Sequence, residues 1–100
     1  MIIKLHPLAE EDLREALDYY FDIDVKLETK FITEFITDLE STYNRILKFP
    51  NLYPYETKTS QKILMEVFPY IVLYEQFKDI IMIFAIFHTS RNDKKLSIRR

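Results

Sequence analysis

A chain of 100 residues can bury one modest hydrophobic core but not two, so residues 1–100 are read as a single domain with a single site. Its 48% apolar and 30% charged content is globular and excludes a long disordered tract, and the lack of cysteine excludes disulfides, thiolate metal centres and thiol catalysis. His6 and His88 are far apart and make a poor ligand set, so no metal and no cofactor is expected.

The formal net charge of -2 hides a division of the chain. Residues 10–40 hold eleven acids against Arg14, Lys26 and Lys30, a balance of -8, whereas residues 41–100 hold ten bases against five acids, a balance of +5. Two readings fit: a solvated helical pair beside an ordinary sheet, or a basic side that binds phosphates although the acidic total opposes nonspecific nucleic-acid binding.

In chain order, Ile2 to Leu5 is a short strand, and His6-Pro7 ends it and opens a helix, because proline at the first helical position forfeits no needed hydrogen bond. Ala9, Leu13, Ala16, Leu17, Tyr20 and Phe21 recur at helical spacing, with Glu10, Glu11, Asp12, Glu15 and Asp18 largely off that stripe as a solvated acidic face. "DIDVKL" breaks the pattern. Leu27, Phe31, Phe35, Leu39, Tyr43 and Ile46 then resume it and stop before Pro50, which predicts a second helix antiparallel to the first. Pro50, Asn51 and Pro54 mark a loop.

Beyond the loop the period becomes extended. "ETKTSQK" alternates weakly, "ILMEVF" and "YIVLYEQF" read as strands, and "IIMIFAIF" is a strand apolar on both faces. Lys78-Asp79 is a two-residue hairpin turn in a protein without glycine, so Asp79 is expected to take the left-handed conformation. A doubly apolar strand belongs inside a sheet and needs a neighbour on each side, which leaves Ile2 to Leu5 for its free edge and gives the order 2-3-4-1. The expected fold is therefore α+β, β-α-α-β-β-β, a helical hairpin packed on a mainly antiparallel four-stranded sheet. The longest apolar run, Ile80 to Phe87, is well short of the roughly 18 residues of a membrane helix, and no signal-like pattern opens the chain. A soluble cytoplasmic protein without a membrane partner is expected.

Few residues suggest chemistry. In an extended "ETKTSQK", Lys58, Ser60 and Lys62 share a face, their two amines about 13 Å apart, and either grip a phosphate backbone or guard an edge strand against aggregation. His88 and Arg91 stand where the central strand leaves the sheet. A proton carrier beside a fixed cation suits phosphodiester cleavage, though a strand-end histidine is as readily structural. Tyr70 and Tyr74 share a strand parity and either stack on bases or pack the core.

The order of these pieces carries a resemblance. "FPYIVLY", "IIMIFAIFH" and "HTSRNDKKLSIR", preceded by a strand, an "A..DL.EA..YY" helix and a helix ending "LKFP", resemble the RelE/ParE superfamily of toxins from type II toxin-antitoxin (plasmid stabilisation-like) systems. The most telling part is the spacing of Phe68, Pro69, Tyr70 and Tyr74 against His88, Arg91 and Arg99.

The resemblance implies the same β-α-α-β-β-β fold, a cognate antitoxin as partner, and one of two activities. RelE-like members cleave mRNA on the ribosome; ParE-like members poison DNA gyrase without cutting RNA. The expectation placed first is a ribosome-dependent mRNA endonuclease (mRNA interferase) that arrests growth. In that reading Lys58 and Lys62 are base or phosphate clamp, Arg91 the transition-state stabiliser, and His88 or Tyr74 the proton donor or orienter, with Tyr70, Tyr74 and Arg99 on the RNA. The alternatives are a non-catalytic gyrase inhibitor and a degenerate domain that keeps only antitoxin binding. Lys62 stands where many members carry arginine, Asp93 where proline is usual and Leu96 where tryptophan is usual.

Overall fold

A computed structural model describes residues 1–91, with the backbone alone at Arg91. Strand β1 (Ile2–Leu5), helices α1 (Pro7–Leu27) and α2 (Phe31–Lys48), and strands β2 (Gln61–Leu64), β3 (Tyr70–Phe77) and β4 (Ile80–His88) follow in that order, and a 3-10 turn spans Thr89–Arg91. The sheet runs β1-β4-β3-β2, the order expected from burial. β1 is parallel to β4, with Ile2 opposite Ile80, and the other two pairings are antiparallel. The apolar run of β4 fills the interior position.

Its two faces meet two apolar clusters. Ile81, Ile83 and Ile86 join Val72, Tyr74 and the helices in the main core, whereas Ala85 and Phe87 join Ile71 and Leu73 on the opposite face. A bulge makes this possible: Leu73 pairs with Ala85 but Tyr74 with Ile83, which leaves Phe84 unopposed and shifts the alternation by one residue. His88 therefore returns to the helix side.

α1 starts where proline predicts, with the His6 ring accepting the Leu8 N–H through Nδ1 at 3.1 Å. It does not break at "DIDVKL" but runs on to Leu27, and α2 begins at Phe31 rather than Leu27. The reason is Asp24. Its carboxylate accepts the Thr29 hydroxyl and the backbone N–H groups of Phe31 (2.8 Å) and Ile32 (2.9 Å), so the last turns of α1 cap the first turn of α2. Glu28, left-handed at φ 55, reverses the chain between them.

Two more aspartates do similar work from inside. Asp12 accepts the Ile86 N–H at 3.0 Å, just beyond the end of β1, where β4 has lost its strand neighbour on that side. Asp38 accepts Glu66 (3.3 Å), Val67 (3.0 Å) and Phe68 (2.8 Å) N–H groups, and so ties the β2–β3 connection to the middle of α2. Both are only 4% exposed, which corrects the reading of the helical acids as a wholly solvated face. Phe68, seated by Asp38, completes a ring cluster with Tyr20, Phe35 and Tyr70 at centroid separations of 5.1 to 5.5 Å.

Two local expectations are corrected. The left-handed residue of the β3–β4 turn is Lys78, φ 39, not Asp79. A hairpin turn that needs positive φ only at its first central position accommodates this, and the Asp79 carbonyl is engaged with the Ile2 N–H at 3.0 Å. "ETKTSQK" is not extended before Gln61, because Glu56 and Thr57 N–H both donate to the Ser60 carbonyl while the Thr57 hydroxyl accepts Thr59 and Ser60 N–H. The hydroxyl gives the backbone a turn in place of a ladder. No helix among the described residues is long and apolar enough to cross a membrane.

Asp38→Ala strands three inward-facing N–H groups and should lower unfolding free energy by roughly 2–4 kcal/mol, read as a reduced denaturation midpoint at unchanged slope. Asp24 offers a pH test. Partial desolvation raises its pKa, but the Thr29 hydroxyl and the Ile32 and Phe31 amides together outweigh that and hold it below the ordinary aspartate value. Its contribution is therefore complete above that ordinary value and is lost as pH falls through the lower folded one. Asp24→Asn should be less stable than wild type at neutral pH, with the gap closing in strong acid; an acid-insensitive gap would contradict the capping role.

Candidate functional site

Of the described residues nominated by sequence, Tyr70 and His88 are brought together and Lys62 stands apart from them. Lys62 pairs with Leu73 across β2–β3, so it projects from the sheet face opposite the helices. There its amine meets the Glu56 carboxylate at 3.1 Å, a part-exposed ion pair. Lys58 is exposed in the bend of residues 56–59, so the shared face expected for the two lysines is not formed. His88 pairs with Tyr70, a residue of the helix-side core, and its ring stands edge-on to the Tyr70 ring at 5.4 Å. Arg91 closes the 3-10 turn in backbone position only, and Arg99 lies outside the described residues.

Both tyrosines are core residues. Tyr74 is fully buried and its hydroxyl donates to the Pro50 carbonyl at 2.8 Å. Burial, with lesser contributions from Tyr53 and Tyr55, pushes its phenol up to about 12, so it is neutral across the physiological range. Tyr70 is 4% exposed. Both are packed in the main core. The Pro50 carbonyl also accepts Gln61 and Gln76 side-chain amides at 2.7 and 3.2 Å, which fastens the loop after α2 to the β2–β3 edge.

What the fold does assemble is a cavity of about 560 Å³ between α1 and the exit of β4. Asp12, Glu15, Tyr19 and Tyr20 line it from the helix, and Tyr70, His88 and Ser90 from the sheet. The His88 Nδ1 accepts the Ser90 N–H at 3.2 Å and lies 2.8 Å from the Ser90 hydroxyl. Burial first, and then the neighbouring Tyr70, push the Tyr20 phenol well above its usual value. Of this lining, sequence reasoning singled out only His88 and Tyr70 for chemistry. The i, i+3, i+7 spacing of Asp12, Glu15 and Tyr19 was the available signal, since it puts two acids and an aromatic ring on one flank of α1. Among the described residues no three His, Asp or Glu side chains are grouped to hold a metal.

Comparison with known proteins bears on this geometry. A family model described as "ParE toxin of type II toxin-antitoxin system, parDE" matches residues 3–93. Among solved structures, a chain of the chromosomal ParDE toxin-antitoxin system from P. aeruginosa is similar in fold at a TM-score of 0.70, with 19% identity, over 88% of this chain and 95% of that one. No curated protein matches the chain.

The placement of these side chains sets their stability effects apart. Tyr74→Phe removes one buried hydrogen bond and should cost roughly 0.5–1.5 kcal/mol, whereas Lys62→Ala, which breaks a part-exposed pair, should stay within about 1 kcal/mol of wild type. Equilibrium denaturation of the two variants side by side is the check.

Proposed function

The chain belongs to the ParE toxin family of type II toxin-antitoxin systems, and on that premise we propose that it is a toxin that acts by binding DNA gyrase rather than by cutting RNA. A cognate antitoxin protein is its implied partner. The observation that supports a non-catalytic mode is the separation of Lys62 and His88 onto opposite faces of the sheet. Phosphodiester cleavage needs a base, a phosphate clamp and a proton donor within hydrogen-bond reach of one scissile group. Lys62 and His88 do not stand that way, and Tyr70 and Tyr74 are buried in the core.

A protein target also suits the charge. A chain with sequence pI near 5.7 lacks the general basic character that draws proteins onto ribosomal RNA. The mRNA interferase reading keeps its residues, Lys58, Lys62, His88 and Arg91, as a proposal that the same experiment weighs.

That experiment adds the purified protein to a gyrase supercoiling assay and, in parallel, maps new 5′ ends of mRNA after induction in cells lacking antitoxin. Blocked supercoiling without new in-frame ends is the expected result. Intact supercoiling together with in-frame cuts would transfer the proposal to the endonuclease. Neither effect, with antitoxin binding retained, would leave only the degenerate antitoxin-binding domain.

A further inference from the structure

The segment from Phe49 to Tyr55, between α2 and β2, lies outside helix and strand but is firmly held. The Pro50 carbonyl takes the Tyr74 hydroxyl and the Gln61 and Gln76 amides, the Tyr53 carbonyl takes Gln61 at 3.0 Å, and the Pro54 carbonyl takes the Lys62 N–H at 2.9 Å. Gln76 also donates to the Asn51 side chain at 2.9 Å, and the two prolines fix their own φ angles. What this fixed loop shows to solvent is apolar: Phe49 is 53%, Leu52 68% and Tyr55 60% exposed. The Leu52 N–H donates to the Phe49 carbonyl at 3.1 Å, a turn that brings the Cα atoms of the two residues within about 7 Å. Tyr55 is bridged to Gln61, whose side chain reaches the Pro50 and Tyr53 carbonyls, so it borders the same turn.

Cations frame these side chains. Residues 41–62 hold Arg45, Lys48, Lys58 and Lys62 against Glu56 alone. Arg45 and Lys62 are occupied by Glu66 and Glu56. Lys48, at the end of α2, and Lys58, in the bend after Tyr55, are exposed and make no ion pair among the described residues. Glu75, which reaches this bend from β3, is turned to the Thr59 and Ser60 hydroxyls. An apolar centre with a charged rim is the anatomy of a protein interface, and side chains set in a rigid loop lose little freedom when a partner buries them. Leucine offers no ring for a base to stack on, and the acidic total opposes a nucleic-acid occupant.

We propose that residues 48–58 form the surface by which the protein grips a protein target, whose contacting face is acidic and receives Phe49, Leu52 and Tyr55 in an apolar depression. Charge complementarity argues for that occupant, since the exposed Lys48 and Lys58 bound the loop at either end. On the gyrase reading, on which this rests, the loop is the part of the domain that meets the enzyme.

The test measures binding of the full-length protein to purified gyrase immobilised on a biosensor. Leu52→Ala combined with Tyr55→Ala should weaken binding at least about thirtyfold, while Val25→Ala, at a position 64% exposed on α1, should stay within about twofold of wild type. Lys48→Glu with Lys58→Glu should slow association, the difference shrinking in added salt. Denaturation midpoints measured beside these values separate lost contact from lost fold, and should the double alanine variant not fold, the charge-reversed pair decides. Wild-type binding by the loop variants, or an equal loss in Val25→Ala, would overturn the proposal. If the wild type does not bind gyrase, the gyrase reading falls by itself, and growth arrest in cells lacking antitoxin decides for the loop. Arrest undiminished in the double alanine variant then overturns it, and arrest lost with the fold intact upholds it. A labelled single-stranded oligouridylate that the wild type binds and this variant does not would overturn the protein occupant, as would a wild type that neither binds gyrase nor arrests growth.

Discussion

Backbone amides left without a partner at the ends of elements are the constraint around which this fold is arranged, and aspartate carboxylates meet it at three joints. Each belongs to one element and is used by another: Asp12 of α1 by β4, Asp24 of α1 by α2, and Asp38 of α2 by the β2–β3 connection. Hydrophobic burial supplies most of the driving force but is indifferent to direction. A carboxylate accepting two or three N–H groups is not. Phe68 reaches the ring cluster of the main core because Asp38 fixes the backbone that carries it, so the directional contact sets the register in which the non-directional one is made.

The bulge at Phe84 has the next largest effect, because it decides what lies on which face. Without it, strict alternation would send Ile86 and His88 to the side of Lys62. With it, Ile86 packs under α1, its amide meets Asp12, and His88 opens onto a cavity walled by α1. One inserted residue thus separates the basic side chain of the edge strand from the histidine of the central strand. The side chains the domain presents follow from this division: a hollow between α1 and β4 lined by aromatic rings and His88 on one side, and Lys62 paired with Glu56 on the other.

Much of the architecture was legible because it rests on patterns of period two and 3.6 over long segments. The apolar run of β4 required an interior position, and that fixed the order of all four strands. The proline after His6 announced the start of α1. What escaped were decisions made by single polar side chains reaching across the fold. "DIDVKL" reads as an interruption until Asp24 is seen capping the next helix, and "ETKTSQK" reads as extended until the Thr57 hydroxyl is seen closing a turn. Asp12 and Asp38 have the composition of a solvated helix face, and nothing in their local spacing says that their partners lie 74 and 28 to 30 residues away. For the site the same limit applied. Residue types suggested cations acting together, but the face each one occupies was set by a bulge that no alternation pattern announces.

The positive φ angles at Glu28 and Lys78 have a bearing on the unfolded chain. Glycine would relieve both positions of steric strain, yet none is used at these or any of the 100 positions. Glycine is the residue whose backbone gives up the most freedom on folding, so a chain without it begins from a narrower denatured ensemble. Among the described residues such strain falls at two reversals, one joining the helices and one joining the central strands, while the reduced entropy loss is spread along the polypeptide. A domain of this size, with a limited core, thereby gains part of its stability from conformations that its unfolded form never visits.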